Sequence, residues 1–241
     1  MLHSRRILVT GGSSGIGAAT ARLALEQGAI VHVLDLHAPT FAHANLSWSL
    51  ADLSDAAAVA RAVESFTERS EPIDGLANVA GISEKTGALG ASDSGLWRKV
   101  LDVNTMGALR VTEAALPALK RARDASIVNV SSAIGLRPYA GTGAYAASKS
   151  ALVALTRVWA MELAPAIRVN AVCPGAIDTP LLNSSASRQD GVRPSFTGDN
   201  AALKRIGQPE EVANAILFLL GPQASYITGT ALAVDGGRAF H

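Results

Sequence analysis

The sequence holds little of what secreted, membrane-bound or metal-built proteins rely on. Cys173 is its single cysteine, so no intrachain disulfide can form and packing alone must hold the fold. It sits in the strand-like run Arg168–Cys173 and reads as a buried core thiol. The histidines (His3, His32, His37, His43 and His241) show no ligand spacing, so no metal site is expected. No apolar run approaches the roughly 18 residues of a membrane span. Near the amino end, Ile7-Leu8-Val9 is too short for the roughly 7–15 residues of a secretory h-region, and a cytoplasmic protein is expected. Charge of neither sign dominates: 21 Lys and Arg against 20 Asp and Glu leave a formal net charge of +1, with no basic stripe to invite nucleic acid. Aromatics make up only 5%, so the core must be aliphatic.

What the chain does have is aliphatic residues in periodic runs. Its 241 residues, 49% hydrophobic, suit one large α/β domain spanning 1–241. Strand-like segments occur at Arg5–Thr10, Ala29–Asp35, Leu46–Leu50, Ile73–Val79, Ser126–Ser131, Ile167–Cys173 and Ala231–Val234. Helices are expected between them at Gly15–Gln27, Ser54–Arg69, Ser94–Arg121, Gly143–Ala164 and Glu210–Leu220, the last opened by Pro209. Repeated β-α-β units predict a doubly wound, mostly parallel seven-stranded sheet with helices on both faces and a ligand at the carboxyl ends of the strands. Asp178–Gly207, rich in Ser, Gly, Asn and Arg, breaks the rhythm and is expected to be a substrate-lid loop. The helix Gly143–Ala164 is apolar on every face, with Leu152, Val153, Leu155, Val158 and Trp159 among its residues. It is either a subunit interface or an Ala-rich helix partly exposed.

The first strand runs into Thr10-Gly11-Gly12-Ser13-Ser14-Gly15-Ile16-Gly17, and this turn opens a helix. Glycines let backbone amides approach a pyrophosphate, and the helix amino end adds partial positive charge. Asp35, followed by Leu36, ends the second strand where a carboxylate takes the adenosine ribose hydroxyls. The competing reading is an aspartate capping a turn. A carboxylate there repels a 2′-phosphate, and no Arg or Lys stands at 11–17 or 34–38 to attract one. NAD is therefore expected rather than NADP. Asp52-Leu53 and Asn78-Val79-Ala80-Gly81 also follow strands and can face the same crevice, although each alone is ordinary turn chemistry.

Tyr145 and Lys149 stand at i and i+4, on one helix face. A cation near a phenol stabilises the phenolate and lowers its pKa, which would supply a general base or acid near neutral pH. Ser132, at the end of the fifth strand, can present its hydroxyl to the same cleft and hold a substrate oxygen against Tyr145. Asn104, inside a long helix, is a poor helix former and reads alternatively as a solvent-facing residue.

Taken together, in order and spacing, these pieces resemble the short-chain dehydrogenase/reductase family in its short, single-domain, Rossmann-like branch, from Thr10 to Gly237. The resemblance also covers Pro174-Gly175-Ala176-Ile177-Asp178-Thr179-Pro180 and Val234-Asp235-Gly236-Gly237. It implies Tyr145 as acid/base, with Lys149 lowering its pKa and binding the nicotinamide ribose. It implies Ser132 positioning the substrate oxygen and Asn104 holding a water in a relay to Lys149. Ile177 and Thr179, after Pro174 and Gly175, would hold the carboxamide. Asp52 would bind adenine with Leu53 beside it, while Asn78, Ala80 and Gly81 would line the adenosine side. Val79 departs from the pattern, since the family often has Asn there. Family tetramers commonly form through the two long helices and the last strand, so the resemblance implies a homotetramer, with a dimer as the alternative.

The main reading is thus an NAD-dependent oxidoreductase acting on a small-molecule alcohol or ketone. A sensor that has lost turnover would be expected to break Tyr145 or Lys149. An epimerase or dehydratase of the longer related fold would need an extra substrate-binding portion, and an enoyl reductase spaces Tyr and Lys differently. The substrate is expected to meet Ala133, Ile134, Arg137, Pro138, Tyr139 and the stretch near Leu181–Gly207. Arg137, Arg188 and Arg193 could receive a carboxylate or could be solvated surface arginines.

Overall fold

The computed structural model describes residues 2–67, 71–84, 89, 93–187 and 200–239. Seven strands form one sheet: β1 (Arg6–Thr10), β2 (Ile30–Asp35), β3 (Leu46–Leu50), β4 (Gly75–Asn78), β5 (Ala125–Val130), β6 (Ile167–Pro174) and β7 (Ala231–Val234). Their order is β3-β2-β1-β4-β5-β6-β7, and every pairing is parallel. The chain leaves β1 in one direction and resumes in the other at β4. The crevice where ligands bind in such sheets therefore opens above the ends of these two strands.

Alternation along the strands feeds two cores. Ile7, Val9, Val31 and Val33 pack toward α1 (Gly15–Glu26) and α8 (Pro209–Leu220). Leu8, Leu34, Ile127 and Val169 pack toward the other face, against α2 (Ala56–Phe66), α4 (Gly107–Leu119) and α6 (Gly143–Leu163). Each fully buried leucine or isoleucine contributes about 1.5–3 kcal/mol. Local signals set the helix starts. Asp55 caps α2 by accepting from Ala57 N and Ala58 N. Pro209 opens α8, where Gln208 and Glu211 form a capping box.

The expected helix over residues 94–121 is three pieces end to end: α3 (Ser94–Leu101), a π-helical turn (Asp102–Met106) and α4. Two further helices were not legible in the pattern: the short α5 (Ala133–Leu136) and α7 (Pro180–Ser187). The latter corrects the expectation of a loop throughout 178–207. Thr179 starts it, its hydroxyl accepting from Leu182 N at 3.3 Å and its carbonyl from Asn183 N at 3.1 Å, with Pro180 at the first helical position. Residues 188–199, which include Arg188 and Arg193, lie outside the described residues.

One strand in from the edge of the sheet, His32 on β2 is 3% exposed. Its Nδ1 lies 2.8 Å from Ser47 Oγ and its Nε2 3.0 Å from Ser49 Oγ, both on β3. Its ring stacks on Phe66 with centroids 4.9 Å apart. Burial, helped by the nearby Arg6 guanidinium, pushes the imidazole pKa down from 6.5 to about 4. Among the described residues no helix is long and apolar enough to cross a membrane, and no cluster of His, Cys, Asp and Glu could hold a metal ion.

Candidate active site

The turn after β1 is folded so tightly that side chains would not fit. A Cβ on Gly17 would lie 2.0 Å from the Gly11 carbonyl oxygen. One on Gly11, whose φ is +69°, would lie 2.8 Å from Ala80 Cα. Thr10 Oγ1 accepts from Val79 N at 3.0 Å and Ala80 N at 3.1 Å, which locks this turn to the end of β4. Ser14 is the N-cap of α1 but makes no side-chain capping bond, so it leaves the orphan first-turn N–H groups, among them those near Gly15 and Ile16, to another partner. Asp35 is oriented at the end of β2: Oδ2 accepts from Ser13 N at 3.0 Å and Ser13 Oγ at 2.7 Å, and Oδ1 from His37 N at 3.1 Å. Leu36, 60% exposed, projects beside it. An uncapped helix end with an oriented carboxylate across the turn suits a pyrophosphate and a ribose.

Other residues expected on the adenosine side are engaged elsewhere. The Asn78 amide donates to Thr112 Oγ1 at 3.1 Å and to Asn129 Oδ1 at 2.9 Å, inside the core. Asp52 Oδ1 accepts from Ser54 N and Ser54 Oγ, each at 2.8 Å, and these bonds hold its pKa below the usual carboxylate value. Leu53 is buried, and its carbonyl accepts from Arg110 at 2.9 Å.

The chemical groups converge from different elements. Ser132 caps α5, its Oγ accepting from Ile134 N at 3.1 Å, and its side chain favours the phenolate of Tyr145, in the first turn of α6. Lys149, one turn on, is 3% exposed, donates to the Val130 carbonyl at 2.8 Å and lies 5.9 Å from the Tyr145 ring centroid. Asn104, 1% exposed in the π-helical turn, clamps the chain after β4. Its Oδ1 accepts from Ile82 N at 2.8 Å, and its Nδ2 donates to Ile82 O and Ser148 Oγ, each at 3.0 Å. A Cβ on Gly81 would stand 3.2 Å from both Asn104 Oδ1 and Lys149 Nζ, so these three residues meet at one point.

The expected lowering of the Tyr145 pKa by Lys149 does not prevail in this structure. Burial holds the phenol above its ordinary value, and the Ser132 hydrogen bond pulls only partly against it. The ammonium is itself short of solvent: burial pushes Lys149 down to about 8.

On the far side, β6 ends at Pro174, and Gly175 N donates to Val234 O at 3.0 Å. A Cβ on Gly175 would meet Asp235 Cα at 2.8 Å. Ile177 forms a bridge with Gly207. Thr179 packs its methyl group 3.2 Å from where a Gly15 Cβ would be, so the segment after β6 meets the start of α1. Ser132, Tyr145, Lys149, Gly81, Ile177 and Thr179 all line one cavity of about 480 Å³. Ala133, Ile134, Tyr139 and Leu181 are in its wall as expected, whereas Arg137, exposed, and Pro138 are not.

Sequence reasoning missed several participants. Ser131 Oγ donates to the Lys149 carbonyl at 2.7 Å, and Ser148 Oγ to the Tyr145 carbonyl at 2.8 Å. Both serines adjoin named motif residues, which was the available signal. Glu84 and Arg238 also line the cavity, and no motif marks either.

A family model described as Enoyl-(Acyl carrier protein) reductase matches residues 11–239. The chain is 38% identical over 242 residues to the cis-4-hydroxycyclohexanecarboxylate dehydrogenase of Sinomonas cyclohexanicum, covering 97% of this chain and 96% of that one. Ligand-free aldohexose dehydrogenase of Thermoplasma acidophilum superposes with a TM-score of 0.93 at 36% identity, over 100% of this chain and 96% of that one. The 3-ketoacyl-(acyl-carrier-protein) reductase of Brucella melitensis, complexed with NADH, superposes with a TM-score of 0.91 at 33% identity over 100% of both chains. With the all-parallel seven-stranded sheet, this likeness over nearly the whole length places the chain in the short-chain dehydrogenase/reductase family, as an oxidoreductase that uses a nicotinamide cofactor on alcohol or ketone groups.

Proposed function

We propose that the protein is an NAD(H)-dependent dehydrogenase or ketone reductase that acts on a secondary alcohol or ketone, with Tyr145 as its acid/base. The observation that carries this is the convergence of Ser132, Tyr145 and Lys149 on one cavity, beside Gly81, Ile177 and Thr179. When bound, the dinucleotide supplies the hydride acceptor or donor. Gly11, Ser13, Ser14, Gly15, Ile16 and Gly17 cradle its pyrophosphate, and Asp35 with Leu36 takes the adenosine ribose. Asp52, Leu53, Asn78, Ala80 and Gly81 border its adenosine, the first three through their backbones. Pro174, Gly175, Ile177 and Thr179 frame the carboxamide, and Lys149 meets the nearer ribose.

Ser132 and Tyr145 grip the substrate oxygen. Tyr145 takes the alcohol proton in oxidation and returns it in reduction. Lys149 adds positive charge close to the phenol, and Asn104 fixes the backbone at Ile82 beside it while holding a water toward Lys149. The raised phenol pKa of the protein alone leaves Tyr145 protonated, ready to donate. Abstraction then draws on the ammonium and the positive oxidised ring, both of which favour phenolate.

Asp35 supports NAD over NADP, since its carboxylate opposes a 2′-phosphate and no Lys or Arg lies at 34–38. Two apolar exposed faces support a homotetramer: Val158 and Met161, 47% and 83% exposed, on α6, and Phe218, Tyr226 and Leu232 near β7. Sedimentation of the purified protein is expected to give four times the chain mass, and a monomer would end that reading. The buried lone thiol Cys173 accords with a reducing, cytoplasmic setting. The deciding experiment is NADH formation from NAD, and separately NADPH formation from NADP, across secondary alcohols and diols. Turnover with NAD and little with NADP is expected. Failure to bind NADH would overturn the dinucleotide site itself.

A further inference from the structure

The carboxyl-terminal segment reaches back over the catalytic cavity. Gly236 and Gly237, with φ of +64° and +82°, turn the chain after β7. Asp235, 9% exposed, holds the turn by accepting from Gly237 N at 2.9 Å and Ala239 N at 2.7 Å. This places Arg238 in the cavity wall, its guanidinium carbon 5.3 Å from the centroid of the Tyr139 ring, which lines the same cavity.

Among the described lining residues the charged groups are Glu84, Lys149 and Arg238. Lys149 lies at the reacting end, buried and donating to the Val130 carbonyl. Glu84 lies 3.4 Å from Lys99 Nζ. Arg238 stands on a different element, with Tyr139 beneath its guanidinium. Much of the wall between is aliphatic, with Val79, Ile134, Leu181 and Leu182. A cavity with an oxygen-binding pair at one place, an apolar wall and a stacked guanidinium at another suits an amphiphilic molecule with one anionic end. A planar guanidinium matches a carboxylate in charge and in its forked geometry, and stacking on an aromatic ring restrains it.

We propose that Arg238 is a specificity-determining residue that receives the carboxylate of a hydroxy or oxo acid whose reacting carbon lies at Ser132 and Tyr145. The proposal rests on the oxidoreductase reading above and goes further by naming the substrate class.

The test compares cyclic and linear oxo acids, beginning with 4-oxocyclohexanecarboxylate, with their ethyl esters as substrates for NADH oxidation. The unmodified protein is expected to favour an acid over its ester by at least tenfold in kcat/KM. In Arg238→Gln the acid should lose at least tenfold more than the ester, chiefly through KM. Arg238→Lys should restore only part, because an ammonium keeps the charge without the fork. Equal use of acids and esters by the unmodified protein, or equal losses in Arg238→Gln, would overturn the proposal while leaving the oxidoreductase reading intact. If the panel gives no turnover, binding is measured instead. Calorimetric titration of acid and ester into the NADH complex then decides the role of Arg238: preferential acid binding lost in Arg238→Gln supports it, and no preference overturns it.

Discussion

The two ends of the cleft are built on different plans. The pyrophosphate and ribose part of the proposed cofactor site comes from one short stretch, Thr10–Gly17, and one strand end, Asp35. Its parts bond to each other, Ser13 to Asp35 and Thr10 to the backbone at Val79 and Ala80. Its shape is enforced sterically, since added Cβ atoms would collide with backbone. The proposed substrate end is assembled from Tyr139, Leu181 and Arg238, which are far apart in sequence, with Arg238 stacked on Tyr139. A binding mode dictated by a fixed ligand can be written in backbone, where few substitutions are tolerated. A rim held by side chains can be altered one residue at a time without disturbing the chemistry beneath it.

This contrast can be broken in graded ways. The largest effect is expected for Tyr145→Phe: about a thousandfold loss of turnover, the scale of positioned acid–base catalysis. NADH affinity by fluorescence titration should stay within a few-fold, and comparable losses of both would mean that the two ends are not separable. A second effect concerns stability near the outer edge of the cofactor half. The His32 pKa is lowered on folding from 6.5 to about 4, so between these values the unfolded chain takes up a proton that the folded one refuses. Stability is therefore full above pH 6.5 and declines toward pH 4, by about 3 kcal/mol for this one group. Urea titrations across that range should show the decline, and His32→Gln should flatten it. The smallest effect is expected for Asp35→Ser, which should narrow the preference for NADH over NADPH by about tenfold, within the range for hydrogen bonds to charged groups, while kcat hardly changes. An unchanged affinity ratio would leave Asp35 as a turn-capping residue only.

The same contrast governs what could be read in advance. The strands are short, mostly apolar runs set between helical segments, so all seven appeared, and β3 and β7 kept their expected bounds. Ser132, Tyr145 and Lys149 were marked by order and spacing, and the structure brings them together. The misses share one cause: they depend on partners remote in sequence. Nothing around Asn78 tells that its amide turns inward to Asn129, 51 residues on. Nothing beside Tyr145 tells that desolvation raises the pKa of its phenol. Arg238 gave no sign at all, because only the turn at Asp235 brings it to the cavity. The helix after Thr179 is a different kind of miss. Its Thr-Pro start was a legible cap, outweighed by a polar composition that suggested loop.

The π-helical turn at Asp102–Met106 is a spare residue wound into an otherwise continuous rod. Each residue advances an α-helix by about 100°. Deleting one there would relax the rod to an ordinary α-helix and spin α3 by that angle against the rest. The buried face at Val100 would swing outward, and Asn104 would come off its bearing on Ile82. The more regular helix would be the poorer machine part, since the irregularity acts as a vernier that sets one end of the rod against the other.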